Sequence, residues 1–153
     1  MRRYPSDSPE AMARVVALAL VVDGAIDPGE LEALKTSSCC FRLGIDPCRF
    51  EQIVDEFCDD LRLHGERKAT GQYALSEACI KDLLGDLCDP ALRKQALDMM
   101  LGIVTADGLI AREESALIAQ AIDCWKLNFP ATRPVASAKP NWQAQYRRAA
   151  GCY

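Results

Sequence analysis

Apolar residues return at helical spacing through most of the chain. Met12, Val15, Val16, Ala19 and Val22 share one face, Leu31, Leu34, Ser38 and Phe41 a second, and Phe50, Ile53, Val54, Phe57 and Leu61 a third. Ile80, Leu83, Leu84 and Leu87 mark a fourth helix, expected to begin near Gly71 to Tyr73. A fifth carries Leu97, Met100, Leu101 and Val104, and a sixth, from about Arg112 to Lys126, carries Leu117, Ile118, Ala121 and Trp125. The pairs Ser8-Pro9, Asp27-Pro28, Asp46-Pro47 and Asp89-Pro90 each set a capping side chain before a proline suited to the first helical position. No alternating pattern of useful strand length occurs. The pattern predicts an all-α bundle of about six to seven helices, with polar His64 to Gly71 linking two halves.

Residues 8–128 read as the helical domain. Residues 129–153 read as a Pro/Ala/Ser linker followed by a short basic, aromatic tail in which Trp142 and Tyr146 fall on one face, able to dock back on the body or on a partner. At 153 residues the chain can bury a real core without staples. Its longest apolar run, Val15 to Val22, is too short to span a bilayer, and Met1 to Asp7 lack an apolar signal region, so the expected location is the cytoplasm.

Charge divides the chain. The net charge is -4, yet the last acid is Asp123, and Lys126, Arg133, Lys139, Arg147 and Arg148 all follow it. An acidic body lacks the clustered Lys and Arg of a nucleic-acid-binding core, so no nucleic-acid partner is expected.

One acidic turn occurs twice. Asp23-Gly24-Ala25-Ile26-Asp27-Pro28-Gly29-Glu30 matches Asp107-Gly108-Leu109-Ile110-Ala111-Arg112-Glu113-Glu114, each after an apolar helical stretch. Capping accounts for part of this. Asp27 and Glu30 have capping-box spacing, and Glu113 and Glu114 suit the first turn of a helix. Asp23 and Asp107 differ, because each falls at a helix C-terminus, where the free carbonyls disfavour a carboxylate. A cation or a neighbouring helix N-terminus would offset that charge. Set in the register of an EF-hand loop, both copies lack the first two oxygen ligands, so each turn supplies at most half a site. Asp23, Asp27, Glu30, Asp107, Glu113 and Glu114 are therefore the candidate metal ligands. Oxygen-only ligands favour calcium, magnesium or manganese over zinc.

The two turns, their separation and the helical context resemble the TerB family, the tellurite-resistance TerB-like domain of bacteria. The matching residues are Val22-Asp23-Gly24 with Glu30, and Ala106-Asp107-Gly108 with Glu113-Glu114, and the resemblance covers about Met12 to Trp125. It implies an all-α fold with internal two-fold similarity, an acidic cluster for a divalent metal, and a non-catalytic role with protein partners in a stress-response assembly, in the cytoplasm or at a membrane. The sequence departs from the family where Gly29-Glu30 replaces a pair of adjacent acids and where Ala111 replaces an acid or hydroxyl residue.

Thiol chemistry is the alternative. Eight cysteines occur without any C-x-x-C spacing and with one histidine, His64, so zinc-finger and thioredoxin readings lack their motif. A reactive thiol needs a cationic neighbour, and Cys39-Cys40 have only Lys35 and Arg42 nearby in sequence. No nucleophile elbow, phosphate loop or dinucleotide fingerprint is present, and the chain reads as a binding module rather than an enzyme.

Overall fold

A helix that carries one charge in eleven consecutive residues has to be covered on every side, and α1 (Pro9–Val21) is such a helix. In the computed structural model, which describes residues 1–22, 39–67, 73–105 and 112–127, every side chain from Ala11 to Val21 is buried. The expected stripe of Met12, Val15, Val16 and Ala19 is therefore one part of a helix buried all round. The described part comprises α1, α2 (Cys39–Leu43), α3 (Pro47–His64), α4 (Glu77–Gly85), α5 (Pro90–Val104) and α6 (Arg112–Trp125), an all-α bundle. α1 packs against α5 and α3, while α6 closes over α4 and α5.

Local chemistry explains where these helices start. Ser8, Asp46 and Asp89 cap α1, α3 and α5 by accepting from Ala11, Arg49 and both Ala91 and Leu92 backbone N–H groups, and each precedes a proline. Asp27-Pro28 lies outside the described residues, as do Leu31, Leu34 and Ser38. Most of the repeated turn lies there too, since residues 23–30 and 106–111 are not described.

Two expectations need correction. α4 begins at Glu77, capped by the Ser76 hydroxyl at 3.3 Å from the Cys79 N–H, and not near Gly71 to Tyr73. Tyr73–Ala74 instead forms β2, paired antiparallel with β1 (Glu66–Arg67), a ladder of two residues per strand that is too short to leave an alternating pattern. Phe41, read as part of an apolar stripe, is 89% exposed. The turn after it has the reason: Gly44 takes φ 68°, with Gly44 N–H donating to the Phe41 carbonyl and Ile45 N–H to that of Cys40. Such a double bond pattern stops α2 after five residues and turns Cys39, Cys40 and Leu43 inward in place of Phe41.

The N-terminal segment crosses this core and is held by a polar knot. Arg14 and Asp60 are 2% and 4% exposed, and Arg14 Nη2 lies 2.5 Å from Asp60 Oδ2. The same oxygen accepts the Arg2 backbone N–H at 2.8 Å, and Arg14 Nη1 donates to the Arg2 carbonyl. The Phe57 and Tyr4 rings sit 5.3 and 5.7 Å from the guanidinium carbon. Further along, Asp7 Oδ1 accepts from the Cys88 and Asp89 N–H groups, which hold its carboxyl below the usual range, the Asp89 bond most strongly.

Tyr4 gives this knot a pH signature. Its phenol donates to Glu56 Oε2, and burial first, then that bond, pushes it up to about 12. The unfolded phenol gives up its proton near 10.0, two units sooner, so its contribution is complete below pH 10 and is lost as pH rises towards 12. Tyr4→Phe is expected to flatten the fall of folding stability across that window, read from urea melts at stepped pH. Equal slopes for the two chains would place no folding linkage at this hydroxyl.

Candidate functional site

Both acid-bearing segments lead to one groove. Val21 and Val22, the last described residues before Asp23, line an open cleft of about 660 Å³, and so does Glu113. α1 contributes its C-terminal end to this cleft, α4 its outer face and α6 its whole length, from Glu113 to Cys124. Leu18, Val21, Ile80 and Leu117 form an apolar floor, with Leu61 of α3 at the back. Around it stand Glu77, Glu113 and Asp123 against Lys81, a rim with an excess of negative charge.

The helices position these groups by ordinary spacing. Glu77 and Lys81 are four apart on α4 and so project over one face. On α6, Glu113, Ala116, Leu117, Gln120 and Cys124 recur at three- and four-residue intervals, which turns one face of the helix to the cleft. Two anchors fix α6. Gln120 Nε2 donates to the Glu77 carbonyl at 2.8 Å at the rim, and the buried Trp125 Nε1 donates to the Leu84 carbonyl at 2.8 Å beneath it. Asp123 pairs with Lys126 at 3.0 Å, an exposed contact of small energetic weight.

Of the six candidate ligands, Asp23, Asp27, Glu30 and Asp107 lie outside the described residues. Glu113 and Glu114 occupy the first turn of α6, where the helix dipole favours them; Glu113 is exposed and on the cleft, Glu114 half-buried. Among the described residues no group of three or more His, Cys, Asp or Glu side chains is gathered closely enough for a metal, and of the six candidates only these two glutamates are among them.

The cysteines separate by environment. Cys39 and Cys40 are buried in α2, and burial foremost, with Cys40 beside it, pushes the Cys39 thiol up to about 12 against the smaller pull of Arg42. Burial also raises Cys58. A thiol held protonated is a poor nucleophile, and Cys39 and Cys40 both lie in the apolar core, where a free thiol packs as a small apolar side chain. Cys48 and Cys88 are exposed.

The apolar floor and Glu77, Lys81 and Gln120 were not singled out in the sequence. The floor residues Ile80 and Leu117 read as ordinary core stripes, and no local motif brings α1, α4 and α6 together. The only local trace is the four-residue spacing of Glu77 and Lys81, shared by countless solvated helix faces.

The class defined by fold and site is an all-α bundle with an apolar cleft and an acid-rich rim. No family model, curated protein or solved structure matches the chain.

Proposed function

We propose that this chain is a non-catalytic binding module of the TerB-like type, which uses the acids of its two repeated turns to hold a divalent cation or to dock a protein partner. One observation carries the reading: the residues leading into the first turn, Val21 and Val22, and Glu113 at the end of the second border the same cleft. That supports the two acidic segments serving a single site. Calcium, magnesium and manganese suit an all-carboxylate ligand set. Assignment to a tellurite-resistance or stress-response assembly rests on the resemblance of Val22-Asp23-Gly24 with Glu30 and Ala106-Asp107-Gly108 with Glu113-Glu114.

Thermal melts of chelator-stripped protein test the reading. A cation present at a hundred times its Kd stabilises by about 2.7 kcal/mol, which is several degrees for a domain of this size. The expected outcome is such a rise with calcium, magnesium or manganese, absent from the Asp23→Asn plus Asp107→Asn chain. If no cation shifts the wild type and the double variant melts higher, the acids serve docking instead, because removing crowded charge relieves repulsion when nothing neutralises it.

A further inference from the structure

The geometry points to an occupant for the cleft within the chain itself: the basic, aromatic segment of residues 128–153, docked in cis through Trp142 and Tyr146. It rests on the cleft of the proposed binding module and is independent of whether a cation binds.

Three observations support this. The described chain ends beside the cleft. Lys126 adopts φ 50°, with Lys126 N–H bonded to the Asp123 carbonyl and Leu127 N–H to that of Ile122, so α6 stops and the chain turns at the very residues, Asp123 and Cys124, that form one end of the cleft. Charge is complementary. Residues 128–153 carry Arg133, Lys139, Arg147 and Arg148 and no acid, whereas on the rim Glu77, Glu113 and Asp123 outnumber Lys81 and Lys126, the partner of Asp123. Opposed charge of this kind favours encounter and orientation.

Reach and chemistry also agree. From Asp123 to Glu113 the cleft follows α6 for ten residues, about 15 Å at the helical rise. Fourteen residues, 128–141, separate Leu127 from Trp142, a contour length of roughly 46–50 Å, enough to place Trp142 anywhere along that length. Trp142 and Tyr146 are four apart, a spacing that puts both rings on one side of a helical turn, with the basic Arg147 and Arg148 beside them. Two aromatic side chains each bury about 150–250 Å² when they dock, and the floor of Leu18, Val21, Ile80 and Leu117 offers the apolar surface to receive them. A short tether gives an effective concentration on the order of millimolar, so even a weak contact would hold the cleft closed to competitors.

A fluorescent peptide of residues 128–153, kept reduced, tests the proposal by titration with three full-length chains. Against the wild type, whose cleft is filled in cis, the peptide is expected to bind at least tenfold more weakly than against the Trp142→Ala plus Tyr146→Ala chain. Adding Ala116→Arg, which puts a cation and a long side chain at an exposed cleft position on α6, is expected to weaken peptide binding to the double variant at least tenfold. Equal affinity for wild type and double variant would overturn the docking in cis, as would failure of the peptide to bind the double variant. Self-association of the wild type that vanishes in the double variant would also overturn it, by placing the tail on a second copy. The cation melts read a separate quantity, so either result can fail without the other.

Discussion

Asp60→Ala is expected to destabilise the fold by about 3 to 5 kcal/mol, because it leaves the Arg14 guanidinium buried with its counter-charge removed. More than one contact goes. Asp60 Oδ2 receives both Arg14 Nη2 and the Arg2 backbone N–H, so the same change frees the N-terminal segment from α3. Tyr4 and Arg2 also reach Glu56, one turn earlier on that helix, and would lose the support of their neighbours. Urea unfolding of wild type and variant measures the cost directly. The double change Arg14→Met plus Asp60→Leu provides the control, since replacing a buried ion pair by apolar groups of similar size is often neutral or stabilising. A loss below about 1 kcal/mol in Asp60→Ala would mean that water reaches the guanidinium and that the pair is not the buried contact described here.

Trp125→Ala is expected to cost about 3 to 5 kcal/mol as well, and to loosen α6 in particular. The indole is 4% exposed at the C-terminal end of α6, and its N–H is bonded to the Leu84 carbonyl of α4. Residues of both helices line the cleft. Trp125→Phe keeps most of the apolar contact and should lose only about 1 kcal/mol, the usual net value of such a bond. Hydrogen exchange separates the effects: amides of α6 should lose protection in the Ala variant well before those of α1 and α3. Uniform loss of protection through all helices would show that the bundle opens as one unit and that the cleft walls have no looser motion of their own.

How much of this was legible in the sequence follows from the range of the causes. α3 was readable throughout, because Asp46-Pro47 sets its start and Phe50, Ile53, Val54, Phe57 and Leu61 are all buried as their spacing predicts. Ser76 was missed because no proline follows it, and the better-known punctuation of Gly71 drew the expected start several residues too early. Phe41 went wrong for a different reason. Its stripe continues from Leu31, Leu34 and Ser38, and a five-residue helix stopped at Gly44 has too few turns for periodicity to fix which side faces inward. The complete burial of α1 was hidden in a sequence that also fits a one-sided stripe, since what covers its second face comes from α5, far along the chain. The cleft was the least legible part. Its floor is made of residues that look like core from α1, α3, α4 and α6, and only their three-dimensional placement leaves them facing a common space. The acidic turns stood out as a repeat, yet a repeat of carboxylates by itself does not distinguish ligands from caps.

The burial of α1 on all sides bears on how the molecule is made. During synthesis this helix leaves the ribosome as an apolar rod charged only at Glu10 in its first turn and at Arg14, while one of the surfaces that cover it, α5, ends only at Val104. At roughly 5–20 residues per second, the interval between residue 21 and residue 104 is on the order of seconds, far longer than the collapse of a small chain. The nascent protein therefore passes through a stage in which its stickiest segment lacks a large part of its native cover, and for that time its safety lies with whatever shields hydrophobic nascent chains in the cell.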